Sequence, residues 1–370
     1  MTPHNTKGDL LKVPLETAHK PNERLLHLEL LRIIACFLVI LNHTTGYINC
    51  FVYDKSYITP ELIRNLFIGM LVKINVPLFY MITGSLLLGK DRDYSYVFRK
   101  AVKTFGILLL FSLIANFCNQ GRIYIPGFIR GFATAKVDGA GPYWYLYAYL
   151  GILLILPFMR SIAARLSFKD VIYIVIARVM ITGFIPMIFM FLNVAMDTNI
   201  YIADEFNPVL FTVDCIFYPI VGFGLDRLID EDKLDKLNAY SFILLFLGAN
   251  VLEIFLTWIA GLDNVYRGFD FLMAIGVFMF VKLVMGKRAV AGRKENVSTK
   301  SRLASFIGTV GGLTFGIYLL DPIVGNYLKP FVFGIDKSGN HLLVMSFVYC
   351  IISMVVCGVI VLAFKKICKK

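Results

Sequence analysis

The chain has 370 residues, of which 58% are hydrophobic and 17% charged, and its mean hydropathy is +0.72. A soluble chain of this length needs more polar surface, and no polar stretch is long enough to build a second, soluble domain. The net charge of +12 does not point to nucleic acid, because the basic residues sit in short loops between apolar runs.

Residues 1–24 are polar, include His4 and His19, and lack the apolar core of a signal peptide, so they read as a cytoplasmic tail. Ten apolar runs follow, at about 26–47, 62–88, 104–120, 143–159, 170–193, 209–225, 239–260, 269–285, 305–327 and 341–364. Each is near the length of about 20 residues that crosses a bilayer. The runs are continuous rather than alternating, which favours helices over a barrel. The expected fold is all-α: a polytopic transmembrane bundle of about ten helices, forming one domain from 25 to 370.

The first run is the most informative. Glu29 and Arg32 are three apart, so they share a helix face and can pair. Arg32 and His43 are eleven apart. Eleven steps of about 100° return nearly to the same face, with a rise of about 16 Å. One stripe therefore carries a cation near one membrane surface and an imidazole near the other. Of the five histidines, His4 and His19 lie in the tail, His27 at the inner edge and His341 at the outer edge of the last run. His43 alone is placed as a buried general base. A histidine merely hydrogen-bonded at the interface fits the sequence equally well.

The second run contains Lys73, Asn75, Pro77, Gly84 and Ser85. Pro77 is expected to kink it and Gly84 to let another helix approach. The basic segment Lys90–Lys103 follows, with Arg99, Lys100 and Lys103. Topology explains its sign, and a phosphate-rich donor would need the same charges. Further along, Trp144 among Tyr143, Tyr145, Tyr147 and Tyr149, and later Trp258, mark outer interfaces. The basic linker 286–302 reads as a cytoplasmic loop before the last two runs.

Eight ionisable residues fall at membrane depth: Glu29, Arg32, His43, Lys73, Arg178, Asp214, Glu253 and Asp321. Singly, each reads as an interhelical ion pair or a snorkelling side chain. Together they imply a polar cavity, with Asn75, Ser85 and Tyr318 as further candidate lining. The seven cysteines show no CxxC and no metal-ligand spacing, so no metal is expected. Cys50 and Cys118 both fall near the outer side, where a disulfide remains open.

Lys and Arg set the orientation. With the N-terminus inside, the inner segments hold 25 of them and the outer loops 7. The asymmetry places both termini in the cytoplasm.

The chain resembles the membrane-bound acyltransferase 3 family. Glu29-x-x-Arg32 followed ten residues later by His43 is similar to that family's Arg-x10-His signature. The segments 75–88 (NVPLFYMITGSLLL), 141–157 (GPYWYLYAYLGILLILP) and 313–324 (LTFGIYLLDPIV) resemble its later patterns in the same order. Thr83-Gly84-Ser85 stands where Ser-Gly is usual, and Asp321 where a His often precedes the proline. Arg99-Lys100-x-x-Lys103 matches a paired-arginine pattern loosely.

The resemblance implies a multi-pass protein of a bacterial inner membrane. It would transfer an acyl group, commonly acetyl, from a coenzyme A thioester to a carbohydrate or glycopolymer hydroxyl. Acetyl-CoA or another acyl-CoA would be a donor substrate, with no permanently bound cofactor. His43 would be the catalytic base, Arg32 and its partner Glu29 its companions, and Arg99, Lys100 and Lys103 the coenzyme A contacts. Two alternatives share the same sequence features: a transporter or flippase of this fold, and a structural subunit of an export complex.

Overall fold

The computed structural model describes residues 26–44, 59–90, 92–201, 214–229, 236–259, 266–291, 297–334 and 341–368. The expected tail 1–24, Cys50 with its possible disulfide, and residues 292–296 of the basic loop lie outside these. The described residues are helical, with no strand among them. In chain order the helices are α1 (Leu26–Asn42), α2 (Pro60–Lys73), α3 (Asn75–Leu87), α4 (Tyr94–Gln120), α5 (Ile125–Ala133), α6 (Trp144–Ala163), α7 (Phe168–Arg178) and α8 (Ile185–Met196). Then come α9 (Asp214–Arg227), α10 (Ala239–Ile259), α11 (Asp270–Ala291), α12 (Val297–Gly311), α13 (Thr314–Phe333) and α14 (His341–Ile367).

Each of the ten expected runs overlies one of these helices or a consecutive pair. Six are long and apolar enough to cross a membrane: α2 with α3 as one span, α4, α6, α7 with α8 as one span, α10, and α14. The pair α12–α13, bent by 52°, would make a seventh if it is a single span. Helices α1 and α9, with 17 and 14 residues, fall outside this set, as does α11.

Helix α1 is the centre of the bundle. It contains no Gly or Pro, and packs against α2, α3, α11, α12, α13 and α14. Leu31, Ala35, Cys36 and Ile40 are wholly buried. A helix surrounded on so many sides cannot present a single apolar stripe, so its polar residues face neighbouring helices rather than water.

The second run is broken rather than merely kinked. Thr59 caps α2 by accepting from the Leu62 N–H at 3.2 Å, and α2 ends at Lys73. Helix α3 restarts at Asn75, and Pro77 sits in its first turn, where its missing N–H costs nothing. Beyond the break, α3 packs on α9 at close range. A Cβ on Gly84 would strike the Pro219 backbone, and one on Gly222 the Met81 backbone. Ser85 Oγ lies 3.0 Å from Met81 O and 3.1 Å from Gly222 O, tying the same contact.

Helix α4 starts at an Asp93 cap and ends at Gly121, whose φ of 69° is a left-handed C-cap. Between α7 and α8 the backbone widens into a π turn at Val179–Phe184, directly after Arg178. Helices α13 and α14 pack through Gly316, where a Cβ would meet Val361.

Candidate active site

The N-terminal part of α1 carries the expected pair. Arg32 Nη1 donates to Glu29 Oε1 at 2.8 Å, and both side chains are largely buried. Glu29 Oε2 is buried without a hydrogen-bond partner among the described residues, beside Gly311 at the end of α12. A side chain at 311 would collide with this carboxylate, so the glycine makes room for it.

Cations from other helices converge here. Lys100 of α4 is half-buried, and its ammonium lies 5.7 Å from the centre of the Tyr149 ring of α6. Arg32, Lys90 and Arg160 are all within electrostatic range of Lys100. Arg160 donates to the Leu87 carbonyl at 3.2 Å and the Arg92 carbonyl at 2.9 Å, fixing the turn between α3 and α4. Partial burial, then Arg92 and Arg227, hold the Lys90 ammonium below the usual lysine value. Such a concentration of positive charge favours an anion. Arg99 and Lys103, by contrast, are exposed.

The C-terminal end of α1 leads directly into His43. Its Nδ1 lies 2.7 Å from the Val39 carbonyl. A carbonyl only accepts, so Nδ1 carries the proton and a neutral His43 has its lone pair on Nε2. Lys329 of α13 donates to the His43 carbonyl at 2.8 Å, and Lys73 donates to Asn42 Oδ1 at 3.3 Å. Asp321 is within electrostatic range of the imidazole. Its Oδ1 accepts from Tyr349 OH at 3.1 Å and Ser353 Oγ at 2.6 Å. The imidazole is thus oriented by its own helix, and no carboxylate fills that role among the described residues.

Aromatic side chains form a wall between the two ends. Tyr145 packs against Tyr149, Tyr80 and Tyr318 at centroid distances of 6.4, 5.4 and 6.3 Å. Tyr318 OH donates to the Pro142 carbonyl at 2.6 Å, and Tyr143 OH donates back to the Leu319 carbonyl. These reciprocal bonds pin the start of α6 to α13.

The remaining expected residues lie in two other places. Arg178 pairs with Asp214 at 2.9 Å and stacks over Phe217. Glu253 accepts the Phe269 N–H at 2.7 Å, just before α11 begins. Lys73 faces Arg267 and Asp270, which connects this polar layer to the His43 end. Asn75 and Ser85 sit in the α2–α3 break and the α3–α9 contact.

Several polar residues escaped the sequence reading. Lys282 is buried in α11 and donates to the Leu225 and Asp226 carbonyls, both at 2.7 Å, capping α9. Asp226 meets His27 at 2.7 Å. Lys282 sits inside an apolar run, the same signal that singled out Lys73. Lys329 falls just beyond the expected run 305–327, yet α13 continues through Pro330 to Phe333.

The family model for an acyltransferase domain, that of the acyltransferase 3 family, matches residues 25–362. No curated protein and no solved structure matches the chain.

Proposed function

Because the chain belongs to the acyltransferase 3 family, and so is an integral membrane acyltransferase, we propose that it moves an acetyl group from acetyl-CoA to a carbohydrate hydroxyl at the outer face. The observation that carries this reading is the α1 stripe. One end is an Arg32–Glu29 pair amid cations, and the other is an imidazole whose Nε2 is available as a base. The donor's phosphates bind at the inner cations Lys90, Lys100 and Arg32, and its thioester arm runs along the tyrosine wall toward His43.

His43 Nε2 takes the proton of the acceptor hydroxyl as that oxygen attacks the thioester carbonyl. The oxyanion formed is stabilised by the ammonium groups of Lys73 and Lys329, in a setting where water is scarce. Collapse breaks the carbon–sulfur bond, and the leaving thiolate takes the proton back from the imidazolium. An acyl-imidazole on Nε2 is an equally balanced variant, in which the acyl group rests on His43 before the hydroxyl attacks.

The orientation follows from the Lys and Arg asymmetry, 25 inside and 7 outside. With about ten spans, it puts both termini in the cytoplasm. Mass spectrometry of surface glycans from cells with and without the protein tests the reading. Loss of an acetyl increment on one glycan supports it. Glycans of unchanged mass, with an altered distribution of a solute or lipid across the membrane, would support transport instead.

A further inference from the structure

The cleft at the outer end of α4 has no part in the chemistry above. Its walls are Asn116 and Gln120 of α4, Tyr124 and Gly127 at the start of α5, and Lys136 and Asp138 of the loop that follows. Its cavity is about 120 Å³ and opens to solvent, so it grips part of a ligand rather than enclosing one.

Its polar groups are mixed in a particular way. Asn116 and Gln120 are four apart and share a helix face. Gln120 Nε2 donates to Asp138 Oδ2 at 2.6 Å, and Asn116 Nδ2 to the Asp138 carbonyl at 3.4 Å. Each amide spends one N–H on these bonds and keeps another, together with its carbonyl oxygen. Lys136 is exposed and forms no ion pair among the described residues. Donors and acceptors therefore stand side by side, which suits a ligand whose every polar group both donates and accepts. Ring hydroxyls of a sugar have that property.

The aromatic part fits the same ligand. The Tyr124 ring lies against Gly127, where a Cβ would press into it. Tyr124 is nevertheless 65% exposed as a residue, which leaves ring surface open to the C–H side of a pyranose. The loop is fixed in advance of binding. Lys136 N–H donates to the Gly131 carbonyl at 2.7 Å and Ala140 N–H to the Val137 carbonyl at 3.0 Å. Gly139, at φ 76°, sits so close to α4 that a Cβ would strike the Ala115 carbonyl. A rigid loop loses little entropy when it binds. Beneath the cleft, Phe128 and Val137 join one apolar cluster with Tyr143, Tyr318 and Val39. Val39 is the residue whose carbonyl orients His43.

We infer that this cleft is a sugar-binding subsite that holds one unit of the acceptor glycan while a neighbouring unit presents its hydroxyl to His43. The inference rests on the glycan-acceptor reading, and its test separates the two. The probes are oligosaccharides released by mild acid from the surface of cells that make the protein. Binding to the purified full-length protein is read by saturation-transfer NMR, and acetyl transfer by CoA release. Tyr124→Ala and Gln120→Ala should each raise KM for the oligosaccharide about three- to tenfold, the scale of one or two contacts. Both should leave kcat and the KM for acetyl-CoA unchanged. Wild-type acceptor KM in both well-folded variants would overturn the subsite. If wild-type protein transfers acetyl to no fraction, the acceptor reading fails and the binding arm decides alone. Saturation transfer lost in both variants then upholds the cleft, and none in wild type overturns it.

Discussion

The imidazole of His43 is held by a backbone carbonyl four residues earlier, at 2.7 Å. That bond fixes which nitrogen can act, without a second side chain. Arg32 differs in kind, because its guanidinium is already committed to Glu29 at 2.8 Å. A planar fork can hold Glu29 and still offer further N–H groups to a phosphate. Arg32→Lys should therefore lose most acetyl transfer, measured as CoA release by protein of wild-type melting temperature. Retention of most activity would reduce Arg32 to a point charge. The donor cations make a second residue-scale prediction. Lys100 is half-buried near Arg32, whereas Arg99 and Lys103 are exposed. Lys100→Ala should raise KM for acetyl-CoA with less effect on kcat, since phosphate contacts mostly bind uniformly. The double variant Arg99→Ala, Lys103→Ala should change it far less, and the reverse ranking in a kinetic titration would reassign the donor site. Sequence spacing put all three cations in one group. Only the packing of α4 on α6 separates them, because periodicity does not say which face of a lipid-exposed helix meets a neighbour.

At the scale of elements, the contact between α3 and α9 is the tightest constraint around the site. Gly84 and Gly222 each stand where any Cβ would meet backbone. Backbone cannot yield as a side-chain tip can, so overpacking here costs about 1–3 kcal/mol or more. Gly84→Ala should lower the melting temperature in detergent, while Gly106→Ala, on α4 with open space around it, should not. Equal melting of the two variants would contradict the close α3–α9 approach. Gly84 was legible in the sequence as a packing residue, and Pro77 as a kink, where the structure has a full break before Asn75. The partner helix was not legible, because a single sequence does not say which helix comes close. Similarly, Arg178, Asp214 and Glu253 were read as cavity lining from their depth alone. Their partners turn out to be each other and the N-terminus of α11. Ionisable residues at depth thus mark polar layers reliably, but their depth does not distinguish a substrate site from a helix cap.

For the molecule as a whole, the helical character was readable, since apolar length is a local feature, whereas the central place of the first helix emerges only from the packing of six other helices around it. The number of spans is less readable, because α1 and α9 are short and α12–α13 is bent. Topology reporters address that directly. Fusions at Lys294 and Lys370 should read cytoplasmic, and one at Asn199 extracytoplasmic. A C-terminus outside would remove the even number of spans. The central claim is that α1 carries acyl transfer from a coenzyme A thioester through His43. Its most direct test is CoA release by purified protein given acetyl-CoA and the cell's own surface oligosaccharides, comparing wild type with His43→Ala. The account predicts turnover in wild type and a fall of about 10²–10⁴-fold or more in the variant, at unchanged melting temperature. A well-folded His43→Ala protein that releases CoA and acetylates the acceptor at the wild-type rate would contradict it.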